Sequence, residues 1–273
     1  MELGTTLALD VRGLCKTFTQ GQWWQKRFQH RVLDNLSLKL RTHTTVAIVG
    51  KSGCGKTTLA MCLVGLERPD AGEILLYGES IQFTQRRRPT TAQQDIQLIF
   101  QESGGALNPR MSAIQIIEEP LLLGGHYARK ERRDLAESMM QRVGISLHSK
   151  HRLPHEFSGG QRQRLAIARA LVLKPRILVL DEIFVGLDLS IQGQIANLLL
   201  QLQECEGLSY ICISHNLALV SQIAHEIALM EQGKIVRQMS SGLVADYLLH
   251  SSGGEHKSGL QPEAGALGAY SGA

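Results

Sequence analysis

The most informative stretch of this chain is Phe157-Ser158-Gly159-Gly160-Gln161. Taken alone, it predicts the start of a helix with Ser158 as the N-cap. The same geometry is also an anion site, because free N–H groups, a hydroxyl and the positive end of the helix dipole point outward. Its meaning depends on two further segments, one upstream and one downstream.

The upstream segment is a glycine-rich loop, Gly50-Lys51-Ser52-Gly53-Cys54-Gly55-Lys56-Thr57. It fits G-x-x-x-x-G-K-[ST] and lies between an apolar strand and a predicted helix, where backbone N–H groups surround phosphate oxygens. Lys56 is expected to reach the β- and γ-phosphates, and the hydroxyl of Thr57 to ligate Mg²⁺. The nucleotide-binding set extends to Thr58. The alternative is a chance glycine turn.

The downstream segment is an apolar strand that ends in two acids, Asp181 and Glu182. Asp181 is expected at the carboxyl edge of the sheet, holding Mg²⁺ through water. Glu182 points elsewhere and is the candidate general base. The alternative is a pair of solvated acids. Because one ATP does not need two phosphate cradles, the cradle at residues 158–161 is predicted to serve the nucleotide of a second subunit.

Composition sets the limits of these interpretations. The chain has 273 residues, 43% of them hydrophobic, and a formal net charge of +4. The charge is mild and the basic runs at 86–88 and 129–133 are interpreted as solvated surface, which argues against nucleic acid. The five cysteines are scattered and form no C-x-x-C pair, which argues against a disulfide framework and against a zinc or iron–sulfur site. No spanning segment or secretory signal is found, so the protein is expected to be cytosolic or to sit on the cytosolic face of another component.

Periodicity predicts an α/β protein. Alternating strands near Leu7–Val11 and Leu36–Leu40 are joined by a long hairpin loop that carries Trp23 and Trp24, which either pack locally or touch a partner. Residues 112–143 form a separate helical lobe, in which Ile114 and Ile117 either contact a partner or belong to the core. A hairpin turn is predicted at Gln232-Gly233, and a disordered tail from residue 251.

In this order, the three segments resemble the nucleotide-binding subunit of an ATP-binding cassette (ABC) transporter, from Leu7 to about Tyr247. The resemblance implies a P-loop (RecA-like) core with an antiparallel β subdomain and a helical subdomain at about 103–160, within a domain at 1–250 followed by the tail at 251–273. It implies ATP and Mg²⁺ as cofactors. It also implies a second ABC ATPase subunit, homologous or identical, two transmembrane permease subunits and an extracytoplasmic solute-binding protein. The chain would lie on the cytoplasmic face of the membrane as a peripheral protein.

The resemblance also assigns roles to single residues. Gln101 falls in the loop that contacts Mg²⁺ and the transmembrane subunit, and Asp188 in the loop that meets the partner ATPase. His215 falls at the position that contacts the γ-phosphate, and Phe18 at the aromatic that stacks on adenine. The implied catalytic set is Glu182, His215, Lys56 and Gln101, and the implied magnesium set is Thr57, Gln101 and Asp181.

The chain departs from the family pattern at three places. Phe157 replaces the usual leucine, Asn216 replaces a common aspartate, and Val185 stands where serine is common, which is expected to weaken hydrogen bonding across a dimer. None of these changes removes a catalytic group, so a working ATPase is expected.

The subfamily interpretation rests on the residues near Gln101. Gln101-Glu102-Ser103 and Ala106-Leu107-Asn108-Pro109-Arg110 resemble bacterial peptide/nickel importers. The compact C-terminal end and the segment at 186–189 favour the nickel-import subunit, with a di/oligopeptide importer as the alternative. A soluble non-transport ABC ATPase is the more remote alternative. His148, His151 and His155 suggest a metal site, but Pro154 interrupts the helix that would align them.

Overall fold

The computed structural model describes residues 6–20, 28–81, 94–100, 107–215 and 217–243. Its strands are β1 (Leu7–Gln20), β2 (Phe28–Arg41), β3 (Thr45–Val49), β4 (Ala71–Leu76), β5 (Glu79–Ser80), β6 (Ile96–Ile99), β7 (Ile177–Asp181), β8 (Ser209–Ile213), β9 (Glu226–Glu231) and β10 (Lys234–Ser240). Its α-helices are α1 (Lys56–Leu63), α2 (Ala113–Gly124), α3 (Arg129–Arg142), α4 (Gly159–Leu171), α5 (Leu189–Glu206) and α6 (Leu217–Val220).

A six-stranded sheet with the order β10-β9-β3-β8-β7-β6 forms the centre of the molecule. The five strands from β9 to β6 run parallel, and β10 adds an antiparallel edge. Every residue of β3, β7 and β8 is buried, which explains why these strands are continuous apolar runs rather than alternating ones. The sheet therefore brings the ends of β3, β7 and β8 to one edge.

A second, antiparallel sheet has the order β2-β1-β4-β5. In β2 buried leucines alternate with exposed polar residues from Leu36 to Leu40, whereas residues 8–11 of β1 are all buried. Leu9 pairs with Leu40, and Val11 pairs with Leu38. Several register shifts interrupt β1 between Leu7 and Thr17. Such bulges bend a strand and re-aim its side chains. The two strands form the predicted hairpin, but they run further than predicted, up to Gln20 and from Phe28 onward. Residues 21–27, with Trp23 and Trp24, lie outside the described residues.

The helical segment predicted at 112–143 consists of α2 and α3. A capping box starts α2, in which the backbone N–H of Ser112 donates to Oε1 of Gln115 at 2.8 Å. Ile114 and Ile117 are 1% and 0% exposed, so the interpretation of these two isoleucines as a contact surface is wrong, because they fill the core. The exposed apolar residues of α2 are Leu122 and Leu123 instead.

The fold class is confirmed: a parallel α/β core, an antiparallel β sheet and a helical insertion are all present. The turn at Gln232-Gly233 is confirmed as well. The φ angles of the two residues are 45° and 81°, and a type I′ hairpin turn requires positive φ at both central residues. The chain divides into the units Met1–Ser241 and Gly242–Ala273, and nearly all of the second lies outside the described residues. None of the described helices is long and apolar enough to cross a membrane.

Candidate functional site

The phosphate loop joins the carboxyl end of β3 to α1. Lys51, Ser52 and Gly53 are exposed, whereas Gly55 and Lys56 are buried beneath them. Gly53 and Gly55 have φ of 80° and 108°, a conformation that residues with a Cβ rarely adopt. The loop thus presents successive backbone N–H groups at the N-terminus of α1, as an anion site requires.

Two of its glycines are also required by close packing. A Cβ on Gly50 would lie 2.2 Å from the carbonyl oxygen of Met230, and a Cβ on Gly55 would lie 2.8 Å from that of Val32. The hairpin of β9 and β10 supports the loop further, since the N–H of Gly233 donates to the carbonyl of Cys54 at 3.0 Å. The sequence pattern alone did not predict this support, because it comes from residues about 180 positions away in the chain.

Lys56 is buried, with 6% of its surface exposed, and lies inside the loop. Its Nζ donates to the carbonyl oxygens of Gly50 and Lys51 at 2.8 and 2.9 Å. Cys54 Sγ is a weaker acceptor at 3.9 Å. The ammonium group is therefore held at the centre of the loop by acceptors that an anionic ligand can replace.

Asp181 ends β7 beside this loop, and it is 3% exposed. The hydroxyl of Thr57 lies beside its carboxylate, and among the described residues the buried Oδ1 has no hydrogen-bond partner. Burial raises the pKa of Asp181, opposed by the Thr57 hydroxyl and by Lys56. An unsatisfied buried carboxylate oxygen next to a hydroxyl fits a hard cation such as Mg²⁺, which takes oxygen ligands and water.

Glu182 follows directly but adopts a different backbone conformation. Its φ is 50°, which is uncommon for a non-glycine residue and is favoured at functional sites. The turn aims its carboxylate at His215, with 3.4 Å between Oε2 and Nδ1. His215 follows β8 and its side chain is 62% exposed. Two groups suited to proton transfer thus meet at the sheet edge.

The 157–161 segment forms the predicted helix start. Ser158 is the N-cap of α4: its Oγ accepts from the N–H of Gln161 at 3.3 Å, and its own N–H donates to Gln161 Oε1 at 3.1 Å. Ser158 and Gly159 are exposed, while Gly160 is buried against Ile191. None of the hydrogen bonds described for residues 158–161 reaches the phosphate loop. Its place in a nucleotide site therefore stays a prediction.

Asp188 is the N-cap of α5, where Oδ1 accepts from the N–H of Ile191 at 3.0 Å. Helix α5 also holds the residues that precede Asp188, because Nε2 of Gln192 donates to the carbonyl oxygens of Phe184 and Leu187 at 3.2 and 2.9 Å. Val185 is 46% exposed. Asp188 thus has a structural role within the chain, and its contact with a partner stays a prediction.

Phe18 lies near the end of β1, paired with His30 of β2. The Nζ of Lys16 lies over its ring, 5.0 Å from the centroid. Sequence reasoning missed Lys16, since residues two apart on a strand share a face but no local motif marks their contact.

Some predicted residues cannot be placed. Gln101 and Asn216 lie outside the described residues. His148 and His155 belong to separate 3₁₀ turns, Leu147–Ser149 and Pro154–Glu156. Within the described ranges, no group of three or more His, Cys, Asp or Glu residues is arranged to hold a metal ion.

A family model described as "ABC transporter" matches residues 33–185, which include the phosphate loop, the 157–161 segment and both acids. The chain belongs to the ABC transporter family. Among curated ABC relatives, the dipeptide transport ATP-binding protein DppF of Escherichia coli is 43% identical over 208 residues, 76% of this chain and 62% of that protein. Its counterpart in Haemophilus influenzae is 41% identical over 85% of this chain and 72% of that protein. The chain thus spans about 62% of the length of the first of these ABC relatives.

Solved ABC structures agree with the fold. The ATP-binding cassette MJ0796, in a dimeric post-hydrolysis state bound to ADP and Pi, superposes with a TM-score of 0.75 at 26% identity, over 85% of this chain and 98% of that one. CbiO1 from Clostridium perfringens, part of an ABC transporter complex, gives a TM-score of 0.74 at 24% identity, over 90% and 94% of the two chains.

Proposed function

We propose that this chain binds ATP with Mg²⁺ and hydrolyses it to ADP and phosphate, as the energising subunit of an ABC importer for di- or oligopeptides. The observation that carries the proposal is the meeting of five side chains at one edge of the sheet. These are the buried Lys56 in its glycine loop, Thr57 on Asp181, and Glu182 against His215.

Each group has a distinct task in phosphoryl transfer. The loop N–H groups and Lys56 bind the phosphates, and the bonds from Lys56 to Gly50 and Lys51 exchange for bonds to phosphate oxygens. Thr57 and Asp181 hold Mg²⁺, which supplies charge neutralisation at the phosphates. Glu182 accepts a proton from the attacking water, and His215 contacts the γ-phosphate. Gln101 completes the magnesium set in this proposal.

The exposed start of α4 supports a site shared between two subunits. The N–H groups of Gly159 and Gly160 take part in no described hydrogen bond, and no described bond at this N-terminus reaches the chain's own phosphate loop. In the proposal, residues 158–161 and Asp188 meet the nucleotide and loop of a second ABC ATPase subunit. The dimeric state of the MJ0796 cassette is consistent with this arrangement.

The cargo proposed is a peptide rather than nickel. The names of the relatives refer to dipeptide, di/tripeptide and D,D-dipeptide transport, which favours the peptide alternative, and the nickel preference finds no support among them. Two transmembrane permease subunits and an extracytoplasmic binding protein complete the proposed assembly, with this chain peripheral at the cytoplasmic face of the membrane.

Reconstitution in lipid tests the proposal. The complex would contain this chain, the permeases encoded beside it and their binding protein, and ATP hydrolysis would be measured with the binding protein empty, peptide-loaded or nickel-loaded. Stimulation by the peptide-loaded protein alone supports the proposal. Stimulation by nickel restores the nickel interpretation, and hydrolysis without any permease association favours a soluble ABC ATPase.

A further inference from the structure

Lys16 is positioned on Phe18 by a network that the phosphate chemistry does not use. Its Nζ lies 5.0 Å from the ring centroid, over one face of the aromatic ring. A cation over an aromatic face is attracted by the ring quadrupole. A flat group that stacks on Phe18 would therefore take the opposite face of the ring.

The ammonium group is fixed from the other side by the connection between α1 and β4. Oε2 of Glu67 lies 2.9 Å from Nζ, and the carbonyl oxygen of Arg68 accepts from it at 2.8 Å. The Lys16 side chain is only 12% exposed, although it carries a charge. Two acceptors and an aromatic face therefore hold a largely buried cation in one place, which is unusual for a surface lysine.

The same connection holds the backbone on both sides of Lys16. The N–H of Thr17 donates to Oδ2 of Asp70 at 2.6 Å, and the N–H of Asp70 donates to the carbonyl of Cys15 at 2.8 Å. Register shifts at Leu14/Lys16 and Lys16/Thr17 put the bulge of β1 at this point. The bulge re-aims the following side chains, and the bonds to Asp70 fix that new direction.

The connection also leads back to the phosphate loop. Helix α1 begins at Lys56, inside the loop, and ends at Leu63, four residues before Glu67. The phosphate cradle and the residues that hold Lys16 thus lie at the two ends of one short segment, residues 56–70. A segment of this kind sets the distance between the phosphates of a bound nucleotide and a stacking ring at Phe18.

We propose that Lys16, held by Glu67 and the carbonyl of Arg68, is a positioning residue that fixes the Phe18 ring as the platform for the nucleotide base. The inference rests on the proposed ATP site and adds two residues, Lys16 and Glu67, to it. Because the Lys16–Phe18 contact exists before the base arrives, it acts by pre-organisation. Immobilising a free side chain on binding costs enough to weaken Kd by roughly two- to tenfold.

The test separates base binding from phosphate binding. Kd is measured by calorimetry for Mg²⁺-ATP and for Mg²⁺-tripolyphosphate, which has the phosphates but no base, on the full chain. We expect Lys16→Met to weaken ATP binding roughly two- to tenfold and to leave tripolyphosphate binding within about twofold. Lys16→Arg restores ATP binding because it keeps the cation. Glu67→Gln weakens ATP selectively as well, since the cation loses its charged partner.

Two controls make the outcomes decisive. Lys39→Met makes the same substitution at an exposed lysine of the same sheet and should change neither Kd. Phe18→Ala should reproduce the selective loss of ATP binding. Equal weakening for both ligands in Lys16→Met, or unchanged ATP binding, overturns the inference while leaving the ATP site intact. Failure of the wild-type chain to bind either ligand overturns the proposed function itself.

Discussion

Asp181 and Glu182 are neighbours in sequence, but their surroundings assign them different chemistry. Glu182 is turned by its positive φ toward His215 and is the candidate base. We expect Glu182→Gln to keep ATP binding and to lower hydrolysis by about 100-fold, because a positioned base is lost while the side chain keeps its shape. Single-turnover hydrolysis beside an ATP-binding titration measures this. Glu204→Gln, at an exposed site of α5, is the control, and near wild-type hydrolysis in Glu182→Gln would identify another group as the base.

The raised pKa of Asp181 predicts how the stability of the fold depends on pH. Burial raises its pKa above the ordinary 3.8, so the folded chain binds this proton more tightly than the unfolded chain does. Stability from this group is therefore present at low pH and lost as pH rises through the folded-state pKa. Without nucleotide or Mg²⁺, Asp181→Asn should raise the free energy of unfolding at pH 7, and the gain should shrink as pH falls toward 3.8. Urea titrations at several pH values test this, with Asp134→Asn as the exposed control. A gain that stays constant over the pH range contradicts it.

Local pattern predicted many residues of the site, but not their partners. Lys56, Thr57 and Asp181 lie where the loop motif and the end of an apolar strand placed them. The contact of Lys16 with Glu67, the support of Gly50 by Met230 and the positive φ of Glu182 were not predicted. Each of these depends on tertiary packing, which a local pattern does not record.

Helices α4 and α5 are in close contact where their N-termini meet. A Cβ on Gly160 would lie 2.5 Å from Cγ2 of Ile191, and one on Gly159 would lie 3.3 Å from Cδ2 of Leu187. The helix start that carries Ser158 therefore rests on the helix start that follows Asp188. A movement of one is expected to be transmitted to the other, because a β-branched side chain such as Ile191 has few rotamers.

Gly160→Ala tests this contact between elements. We expect it to lower the free energy of unfolding by about 1–3 kcal/mol, because the added methyl group overpacks against Ile191. Adding Ile191→Ala should recover most of that loss, as a double-mutant cycle in urea would show. Gly193→Ala has nothing within 4 Å and should be neutral or slightly stabilising. Loss of stability that Ile191→Ala does not recover would show that the clash lies elsewhere.

At the scale of elements, periodicity predicted the strands and helices but not all of their faces. The buried apolar runs of β3 and β7 and the turn at Gln232-Gly233 were predicted correctly from sequence. Ile114 and Ile117 were ambiguous, because an apolar helix residue has the same pattern whether it packs inward or meets a partner. Both side chains are buried in the structure, so they belong to the core.

For the whole molecule, the order β10-β9-β3-β8-β7-β6 gathers residues from distant parts of the chain at one edge. Periodicity predicted a parallel sheet but not this order, which depends on contacts between strands far apart in sequence. The order unites the phosphate loop with Asp181, Glu182 and His215. The exposed start of α4 is the part of the predicted site that has no nucleotide-binding partner within the described chain, and it carries the prediction about assembly.

If Ser158 serves the nucleotide of a second subunit, Ser158→Arg should leave ATP binding by the isolated chain within about twofold. It should lower turnover by about 10- to 100-fold, because the bulky side chain fills the anion site that the N–H donors of the helix start form. Ser158→Ala, which loses the same helix cap without adding bulk, separates this effect from the roughly 1 kcal/mol cost of the cap. Turnover per subunit should also rise with protein concentration as dimers form. Wild-type turnover in Ser158→Arg, or a rate per subunit that is the same in monomer and dimer fractions, would place the complete site within one chain.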